Sequence, residues 1–367
     1  MQFSYPDYFY LIALIEVKGI GTDTAKKLID KYGTAYDVFQ QSKETYLQMG
    51  NIGKAILEAL EKEIVFTIAK EQVEYCESND VEILSYYNAN YPQRLKQNDD
   101  APLILYFKGR TNLNAQKLIS IVGTRNATPY GKHICKEIVN ELAKHNCTII
   151  SGLAYGIDVT AHKKAIDFQT PTVGVLAQGI NSIYPVEHKP IAEKMMLNGG
   201  VLTEFKINTR PARENFPKRN RIVAGMCDAI IVIESTMTGG SMITAKLGKK
   251  YYKDIFAVPG RIGDVYSEGC NHLIKTKQAH LLQSPEDIPK ALNWSEQIQK
   301  SPQPQLFIEL TPEETIIVDA LENNSLTIDE LAILTKSTMS TLSAQLLLLE
   351  FKGAVKQLPG KRYELVI

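Results

Sequence analysis

A basic segment with an aromatic residue at its centre holds the side chains best suited to chemistry. Residues 213–225 read Arg-Glu-Asn-Phe-Pro-Lys-Arg-Asn-Arg-Ile-Val-Ala-Gly, so Phe216 stands beside three cations. Lys and Arg neutralise phosphates, and a Phe before Pro, held in an extended backbone, presents a ring face to a base. Six Lys or Arg residues and one acid occur between Phe205 and Gly225, although the net charge of the chain is zero. The segment fits a nucleic acid strand; the alternative is a solvated loop leading into a helix.

Three glycine-containing loops offer related chemistry, at residues 123–126, 151–158 and 238–245. Glycine lets a backbone approach a phosphate, and the N–H groups at a helix N-terminus favour anions. Ser and Thr hydroxyls add donors, and Arg125 adds a planar fork that matches phosphate oxygens. Each loop alone also satisfies the structural needs of a helix cap. The three loops and the basic segment are all expected at one edge of the sheet predicted below from the strand pattern, and together they indicate an anion-binding site.

Short β-branched runs alternate with amphipathic stretches from about residue 81 to 290, which predicts a mainly parallel sheet covered on both faces. The predicted strands are Leu118–Val122, Thr148–Ile150, Thr172–Leu176, Gly200–Thr203, Ala229–Ile233 and Ile255–Val258. The loops that follow these runs lie at the carboxyl ends of the strands, which is the edge where open α/β sheets bind ligands.

The residues before this core predict a small helical domain. Apolar residues at helical spacing flank a turn at residues 19–21, after which Thr22 or Asp23 is expected to cap a helix. A weaker copy of the turn lies at residues 50–53. The turns resemble helix-hairpin-helix turns, whose amides can face a DNA phosphate. Eight basic against eleven acidic residues through residue 75 favour a structural role instead.

The residues after the core predict a polar linker and a third domain. Three helical patterns and a two-stranded hairpin follow in the order of a winged helix. The third helix, at residues 338–351, contains no Lys or Arg, and residues 305–367 carry five basic and nine acidic groups. This balance favours contact with a protein over contact with duplex DNA.

Composition and motifs exclude several classes of function. The chain has 44% hydrophobic and 22% charged residues, and its five cysteines form no C-x-x-C pair, so we interpret them as reduced and structural. No segment predicts a membrane span, and a cytoplasmic location is expected. No dinucleotide or P-loop fingerprint is present, so no cofactor is expected. His162 and Asp158 are interpreted as a structural residue and a helix cap, and no convincing nucleophile, metal cluster or carboxylate pair is found.

Taken together, the loop motifs, the segment from Glu214 to Gly225 and the Val258-Pro259-Gly260 turn resemble the DNA-processing protein A family, also called DprA or Smf. The resemblance implies an α/β fold: a Rossmann-like core at residues 79–294, with an N-terminal helical domain of the sterile-alpha-motif-like or helix-hairpin-helix type at 1–78. A linker at 295–309 and a winged helix at 310–367 would follow. It also implies a non-enzymatic protein that binds and protects incoming single-stranded DNA in natural transformation, dimerises and helps to load the RecA recombinase.

The resemblance extends to particular residues. Arg125 corresponds to an arginine that grips a phosphate, Phe216 to an aromatic that meets a base, and Lys218, Arg219 and Arg221 to a basic wall. Charge reversal at Arg125, or at Arg219 together with Arg221, is expected to weaken binding while the fold survives. The full expected DNA-binding set is Gly123, Thr124, Arg125, Ser151, Gly152, Phe216, Lys218, Arg219, Asn220, Arg221, Gly239, Gly240 and Ser241.

Other positions leave alternatives open. Asn220 is also a candidate cap for the helix that it would begin. Some members of the family have a basic residue where this chain has Tyr155, so that cation is missing, although a Tyr can stack on a base or bond a phosphate. A dimer face is expected around Ile274 and residues 281–282; the same apolar side chains would equally cover the edge of the sheet.

Two rival functions remain. A nucleotide-phosphoribohydrolase-type enzyme also has glycine loops on a Rossmann-like fold, but such enzymes resemble P-G-G-x-G-T-x-x-E where this chain reads residues 238–245 without the acid. A scaffold whose basic segment binds an acidic protein is the other rival.

Overall fold

The computed structural model describes residues 6–47, 63–294, 311–321, 325–352, 354–358 and 362–365. The chain divides into two compact units, residues 1–297 and residues 298–367. The predicted linker at 295–309 and the second glycine turn at 50–53 lie outside the described residues. Among the helices that are described, none is long and apolar enough to cross a membrane.

A nine-stranded, mainly parallel sheet forms the centre of the first unit. Its strands are β1 (Glu82–Ser85), β2 (Ile104–Gly109), β3 (Leu118–Val122), β4 (Thr148–Ser151), β5 (Thr172–Val175), β6 (Gly200–Thr203), β7 (Ala229–Val232), β8 (Asp254–Ala257) and β9 (His280–Leu281). They are ordered β1-β2-β6-β5-β4-β3-β7-β8-β9. Only the β1–β2 and β2–β6 pairs are antiparallel. Strands β4 to β6 extend from β3 to one side and β7 to β9 to the other, so the order reverses between β3 and β7.

The α/β fold class and all six predicted strands are confirmed, as β3 to β8. The predicted ends differ from the observed ends by one residue at most. Strands β1, β2 and β9 are not among the predicted ones. The apolar run from Ile104 to Phe107 carries a strand signal, but its antiparallel pairing with β1 and β6 follows from tertiary contacts and not from the local pattern.

Helices cover both faces of the sheet, as the continuous apolar strands require. In the first unit they are α1 (Asp7–Ile15), α2 (Thr22–Tyr32), α3 (Ala35–Phe39), α4 (Lys43–Leu47), α5 (Glu63–Ser78), α6 (Gln93–Lys96), α7 (Pro129–Ala143), α8 (Ile157–Asp167), α9 (Lys189–Asn198), α10 (Asn215–Gly225), α11 (Gly240–Lys250), α12 (Glu268–Lys275) and α13 (Asp287–Ala291).

Alternate residues of β3 show how the two layers are built. Ile119 and Ile121 belong to the core that includes α7 and α8, whereas Leu118 and Val122 belong to the core that includes α10. Full burial of such a side chain stabilises the fold by about 1.5–3 kcal/mol. Ser120, the one polar residue of the strand, donates from Oγ to the carbonyl oxygen of Val223 at 2.6 Å. This bond anchors α10 against the strand from which the first glycine loop departs.

The N-terminal helices pack against the antiparallel side of the sheet. Their core residues, among them Phe9 and Leu28, form one apolar cluster with Tyr106 of β2 and Val201 of β6. The N-cap residue of α2 is Gly21, with no side-chain cap, so the expectation that Thr22 or Asp23 caps this helix is wrong. Thr22 is instead the first residue of α2.

The second unit is a winged helix, as predicted. Helices α14 (Pro312–Leu321), α15 (Ile328–Thr335) and α16 (Met339–Phe351) pack around a sheet of β10 (Leu326–Thr327), β12 (Arg362–Leu365) and β11 (Val355–Leu358). Thr327 caps α15 through a reciprocal bond with Glu330. Leu342, Leu346 and Leu349 of α16 lie in the core of this unit.

Candidate functional site

A cleft of about 430 Å³ opens at the carboxyl edge of the sheet, where the strand order reverses between β3 and β7. This is the position at which open α/β sheets bind their ligands, because the loops after the two strands diverge there. Of the expected DNA-binding residues, ten line the cleft: Gly123, Thr124, Arg125, Gly152, Phe216, Arg219, Asn220, Gly239, Gly240 and Ser241. Ser151, Lys218 and Arg221 do not line it.

The loop after β3 brings Arg125 to the rim of the cleft. Close packing fixes this loop, because a Cβ on Gly123 would lie 2.5 Å from the side chain of Ile157. Thr124 donates its backbone N–H to the carbonyl oxygen of Glu234 at 2.7 Å and accepts the N–H of Ile157 at 3.1 Å. The loop is thereby held between β7 and α8, and Arg125 is left exposed.

An aromatic group faces this arginine. The guanidinium carbon of Arg125 lies 5.1 Å from the ring centroid of Phe216, within cation–π range. The ring of Tyr184 lies 6.2 Å from that of Phe216, and it is about half exposed. Phe216, Tyr184, Tyr155 and Arg125 also line a smaller, adjoining cavity. Charge and aromatic surface therefore meet at one point of the rim.

Helix α10 begins at Asn215, and this corrects two expectations. Phe216 is helical and not extended, and Asn220 lies inside the helix and does not cap it. Pro217 stands in the first turn, where the backbone N–H that proline lacks has no intrahelical partner in any case. The helix phase then decides which residues reach the cleft: Phe216, Arg219, Asn220 and Val223 share one face by their spacing.

Arg219 forms the floor of the cleft and is not part of an exposed wall. It is 4% exposed, and its Nη1 donates to the carbonyl oxygens of Gly152 and Val175. Burial lowers the pKa of Arg219 to about 10, with the nearby Asp158 acting to raise it, so the guanidinium stays charged at neutral pH. The side chain ties α10 to the ends of β4 and β5, and charge reversal there would disrupt the fold.

Arg221 and Lys218 lie on another face of α10. Arg221 donates to the backbone carbonyl of Asp100 and to the carboxylate of Glu204, and both ionic side chains are largely buried. Burial raises the pKa of Glu204, and Arg221 opposes this shift. Lys218 is exposed and lines none of the clefts described here. The expected basic wall is therefore divided between a cleft floor, a structural ion pair and a surface lysine.

Backbone amides, more than hydroxyls, remain available in the glycine loops. Ser151 donates from Oγ to the carbonyl oxygen of Ile121 at 2.6 Å, and the Oγ of Ser241 lies 2.7 Å from that of Ser235. The N–H groups of Gly240 and Ser241, at the start of α11, have no acceptor among the residues that the structure describes. They carry the positive end of the helix dipole to the cleft.

His162 and Asp158 are buried residues of α8, and Asp158 lines the cleft. The N-cap residue of α8 is Gly156, so the interpretation of Asp158 as the helix cap is wrong. Nδ1 of His162 bonds the hydroxyl of Thr172 at 2.7 Å, and burial lowers the pKa of this imidazole to about 3. Burial raises the pKa of Asp158, and Arg219 opposes this shift. A neutral, enclosed imidazole agrees with the structural interpretation of His162. All five cysteines are buried and free, as expected for structural thiols.

The structure adds Tyr266 to the cleft, a residue that the sequence analysis missed. It follows β8, and its hydroxyl accepts a bond from Nδ2 of Asn126 at 3.1 Å. The sequence could have indicated Tyr266 as a site residue, because it lies after Gly263 in another loop that follows a strand at the carboxyl edge of the sheet. The hydroxyl of Tyr155 donates a hydrogen bond to the carboxylate of Glu187 at 2.9 Å. This is the position at which the sequence comparison expected a missing cation.

The structure is that of a Rossmann-like α/β protein with a glycine-lined cleft at the carboxyl edge of its sheet, followed by a winged helix. The sequence profile of the DNA recombination-mediator protein A family matches residues 82–293, and that of the DprA winged helix domain matches residues 300–361. The chain therefore belongs to the DNA recombination-mediator protein A family, which confirms the resemblance seen in the sequence.

Individual relatives agree with this assignment. Protein Smf of Synechocystis is 28% identical over 97% of this chain and 98% of its own length, and DNA processing protein DprA of Bacillus subtilis is 39% identical over 54% and 67%. The crystal structure of DprA from Streptococcus pneumoniae has a TM-score of 0.63, with 28% identity over 77% of this chain and 97% of that one. A structure concerned with single-stranded DNA binding by DprA of Helicobacter pylori has a TM-score of 0.53, with 30% identity over 58% and 95%.

Proposed function

We propose that the chain binds single-stranded DNA across the cleft between β3 and β7 and acts as a recombination mediator. The observation that carries this proposal is the pairing of Arg125 with Phe216 at the rim, 5.1 Å apart, above the free amides of Gly240 and Ser241. One place thus offers a cation, an aromatic face and anion-binding N–H groups. These are the three contacts that a nucleotide strand needs.

The phosphate contacts supply most of the proposed affinity. Arg125 carries a planar fork that matches two phosphate oxygens, and it is exposed. The backbone N–H groups at the start of α11 would bind a second phosphate in the cleft. Arg219 contributes positive potential to the cleft while its Nη1 stays on backbone carbonyls and its Nε on Oδ1 of Asn220.

The aromatic contact explains a preference for single strands. A ring such as Phe216 can stack only on a base whose face is free, and both faces of a base in a duplex are covered by its neighbours. Stacking contributes about 1–3 kcal/mol per base and tolerates any sequence. We therefore infer little sequence preference and weak competition by duplex.

Membership of the family supports wider roles for the chain. We propose that it protects incoming DNA in the cytoplasm during natural transformation and helps RecA to form filaments on that DNA. Homodimerisation would use the open edge of β9, where Leu281 is 43% exposed. Leu282 belongs to the core and is 4% exposed, so it is removed from the expected dimer face.

The enzyme alternative has a direct test. At the α11 loop the chain carries no acid, and the buried Glu234 after β7 instead accepts bonds from the backbone N–H and the hydroxyl of Thr128. We expect no release of free base from nucleoside monophosphates. A measurable release would favour the phosphoribohydrolase function.

Arg125 is the exposed cation whose loss tests the proposed site. Arg125→Glu should weaken binding of a labelled single-stranded oligonucleotide at least tenfold, and it should lower the slope of log K against log salt by about 0.7 or more, because a phosphate contact is lost. Fluorescence anisotropy across a salt series measures both. Arg110→Glu is the matched control, since Arg110 is exposed and lies outside the clefts described here.

Two results would contradict the placement of the site. One is an unchanged slope in a folded Arg125→Glu protein, and the other is an equal loss in Arg110→Glu. Whether RecA loading occurs is a separate question, answered by filament formation on single-stranded DNA with and without the chain.

A further inference from the structure

A second groove continues from the cleft along the surface of the first unit. It lies between α7 and α8, has a volume of about 620 Å³, and is lined in part by Arg125, Asn126 and Ala127 of the loop that joins β3 to α7. Arg125 and Asn126 line both the cleft and this groove. The cleft and the groove therefore adjoin at these two residues, and a chain molecule that leaves the cleft past Arg125 can enter the groove.

The groove is lined by cations and by no acid. Its charged lining residues are Arg125, Lys132, Lys136, Lys163 and Lys164, and His133 adds an imidazole. Lys132 and Lys136 are one helical turn apart on α7, about 6 Å along the axis, so they project in the same direction. Lys163 and Lys164 stand across from them on α8. Positive charge thus faces the groove from both walls.

Little of this charge is neutralised within the chain. Lys136 and Lys164 have acidic neighbours on their own helices, Glu137 at 3.9 Å and Asp167 at 2.6 Å. Lys132 and Lys163 are exposed and have no ion-pair partner among the residues that the structure describes. Surface pairs of this kind contribute about 0–1 kcal/mol, so both paired lysines can exchange their partners for a phosphate.

We propose that this α7–α8 groove is a second binding segment for single-stranded DNA, which holds the backbone of the strand after it leaves the cleft at Arg125. This inference rests on the proposed function of the cleft and extends it. The groove supplies mainly phosphate contacts, with Tyr155 at its edge, whereas the half-buried ring of Phe216 lies in the cleft and not in the groove.

Charge and continuity favour a DNA backbone over an acidic protein as the occupant. The groove shares its first cation with the cleft, and a single polyanion can occupy both in one register. A separate acidic protein in the groove would compete with the strand for Arg125. The two occupants can be distinguished by experiment. Only if a strand fills the groove should the groove lysines affect the affinity for a long oligonucleotide and not for a short one.

The test uses the full chain and two labelled oligothymidylates, of about 4 and about 16 nucleotides, which span the usual site sizes of single-strand binders. In the groove variant, Lys132, Lys136, Lys163 and Lys164 are each changed to Gln. The control variant changes Lys189, Lys194, Lys246 and Lys249 to Gln. These four are exposed helical lysines that lie outside the cleft and the groove.

The groove variant should bind the longer oligonucleotide at least tenfold more weakly, and its log–log salt slope should fall by about 3, at roughly 0.7 for each lost phosphate contact. The affinity of the groove variant for the short oligonucleotide should change less than threefold. In the control variant, the affinity for the longer oligonucleotide should also change less than threefold, and its salt slope should stay as in wild type. If the fourfold variant does not fold, Lys132→Gln with Lys136→Gln should lower the slope by about 1.4.

Each contrary result has a distinct meaning. An unchanged slope with the longer oligonucleotide overturns the second segment, and so does an equal loss for both lengths. Competition by polyglutamate that disappears in the groove variant while DNA binding persists would assign the groove to an acidic protein. Failure of wild type to bind either oligonucleotide would instead overturn the proposed function of the cleft.

Discussion

Phe216 shows how a single side chain can serve the fold and the site in different ways. It stands in the first turn of α10, is half-buried, and has the Tyr184 ring and the Arg125 guanidinium as neighbours. Its ring is held by these neighbours and not by the core of the protein. A change of this residue is therefore expected to affect binding more than stability.

Phe216→Ala should weaken binding of single-stranded DNA by about 1–3 kcal/mol, because one stacking surface is lost. The salt slope should stay as in wild type, since no charge is removed. Phe216→Trp should restore most of the affinity. Anisotropy titrations of the three proteins at two salt concentrations provide the measurement, and a slope that changes with the ring would show that Phe216 acts by positioning Arg125 instead.

At the scale of elements, α10 explains why the basic segment is not a continuous wall. Its sequence places cations at residues 218, 219 and 221, but a helix separates neighbours by about 100° around its axis. Arg219 turns inward to the ends of β4 and β5, and Arg221 turns to Glu204. Charge counted along the sequence therefore overstates the charge that reaches the cleft.

Arg221→Gln should destabilise the first unit by about 3 kcal/mol while the DNA salt slope stays unchanged. The loss follows because the Glu204 side chain is largely buried and its Oε1 already has no hydrogen-bond partner among the described residues. Urea denaturation and anisotropy at a temperature where the variant is folded measure the two effects. Lys218→Gln is the control, with little expected change in stability; a reduced slope for Arg221→Gln alone would return this residue to the binding surface.

The parallel core could be predicted because each of its strands is a short, mostly apolar run, which a doubly covered sheet accommodates. The position of the loops at the edge of the sheet could also be predicted, because it follows from the direction of the strands. The phase of α10 could not, because two opposing rules act at Pro217. Proline favours an extended residue before it, but it is also tolerated in a first turn. The structure follows the second rule.

The whole first unit is sensitive to acid through His162. Burial lowers the pKa of this imidazole to about 3, whereas an unfolded chain binds the proton near pH 6.5. Between these values the unfolded state holds one more proton than the folded state. The free energy of unfolding therefore decreases as the pH falls, by about 1.4 kcal/mol per pH unit from this group.

His162→Gln should remove this contribution. Between pH 6.5 and 5.5 the free energy of unfolding should fall by about 1 kcal/mol less than in wild type, because the unfolded imidazole is already half protonated at pH 6.5. The single tryptophan, Trp294, lies 5.7 Å from the ring of His145 and reports on unfolding of the first unit by fluorescence. Asp158 acts in the opposite direction, because its raised pKa favours the folded state at low pH, and it is present in both proteins. Parallel pH curves would contradict the prediction.

The contact between Arg125 and Phe216 has a consequence for which molecules can compete at the cleft. In the free protein the guanidinium already covers one face of the ring, so a base must take the other face or displace the cation. A phosphate that draws the guanidinium away uncovers the ring at the same moment. A strand provides both groups on one backbone and gains both contacts together. A free nucleobase or inorganic phosphate makes only one of these two contacts. The products of DNA degradation should therefore compete poorly with an intact strand for the cleft.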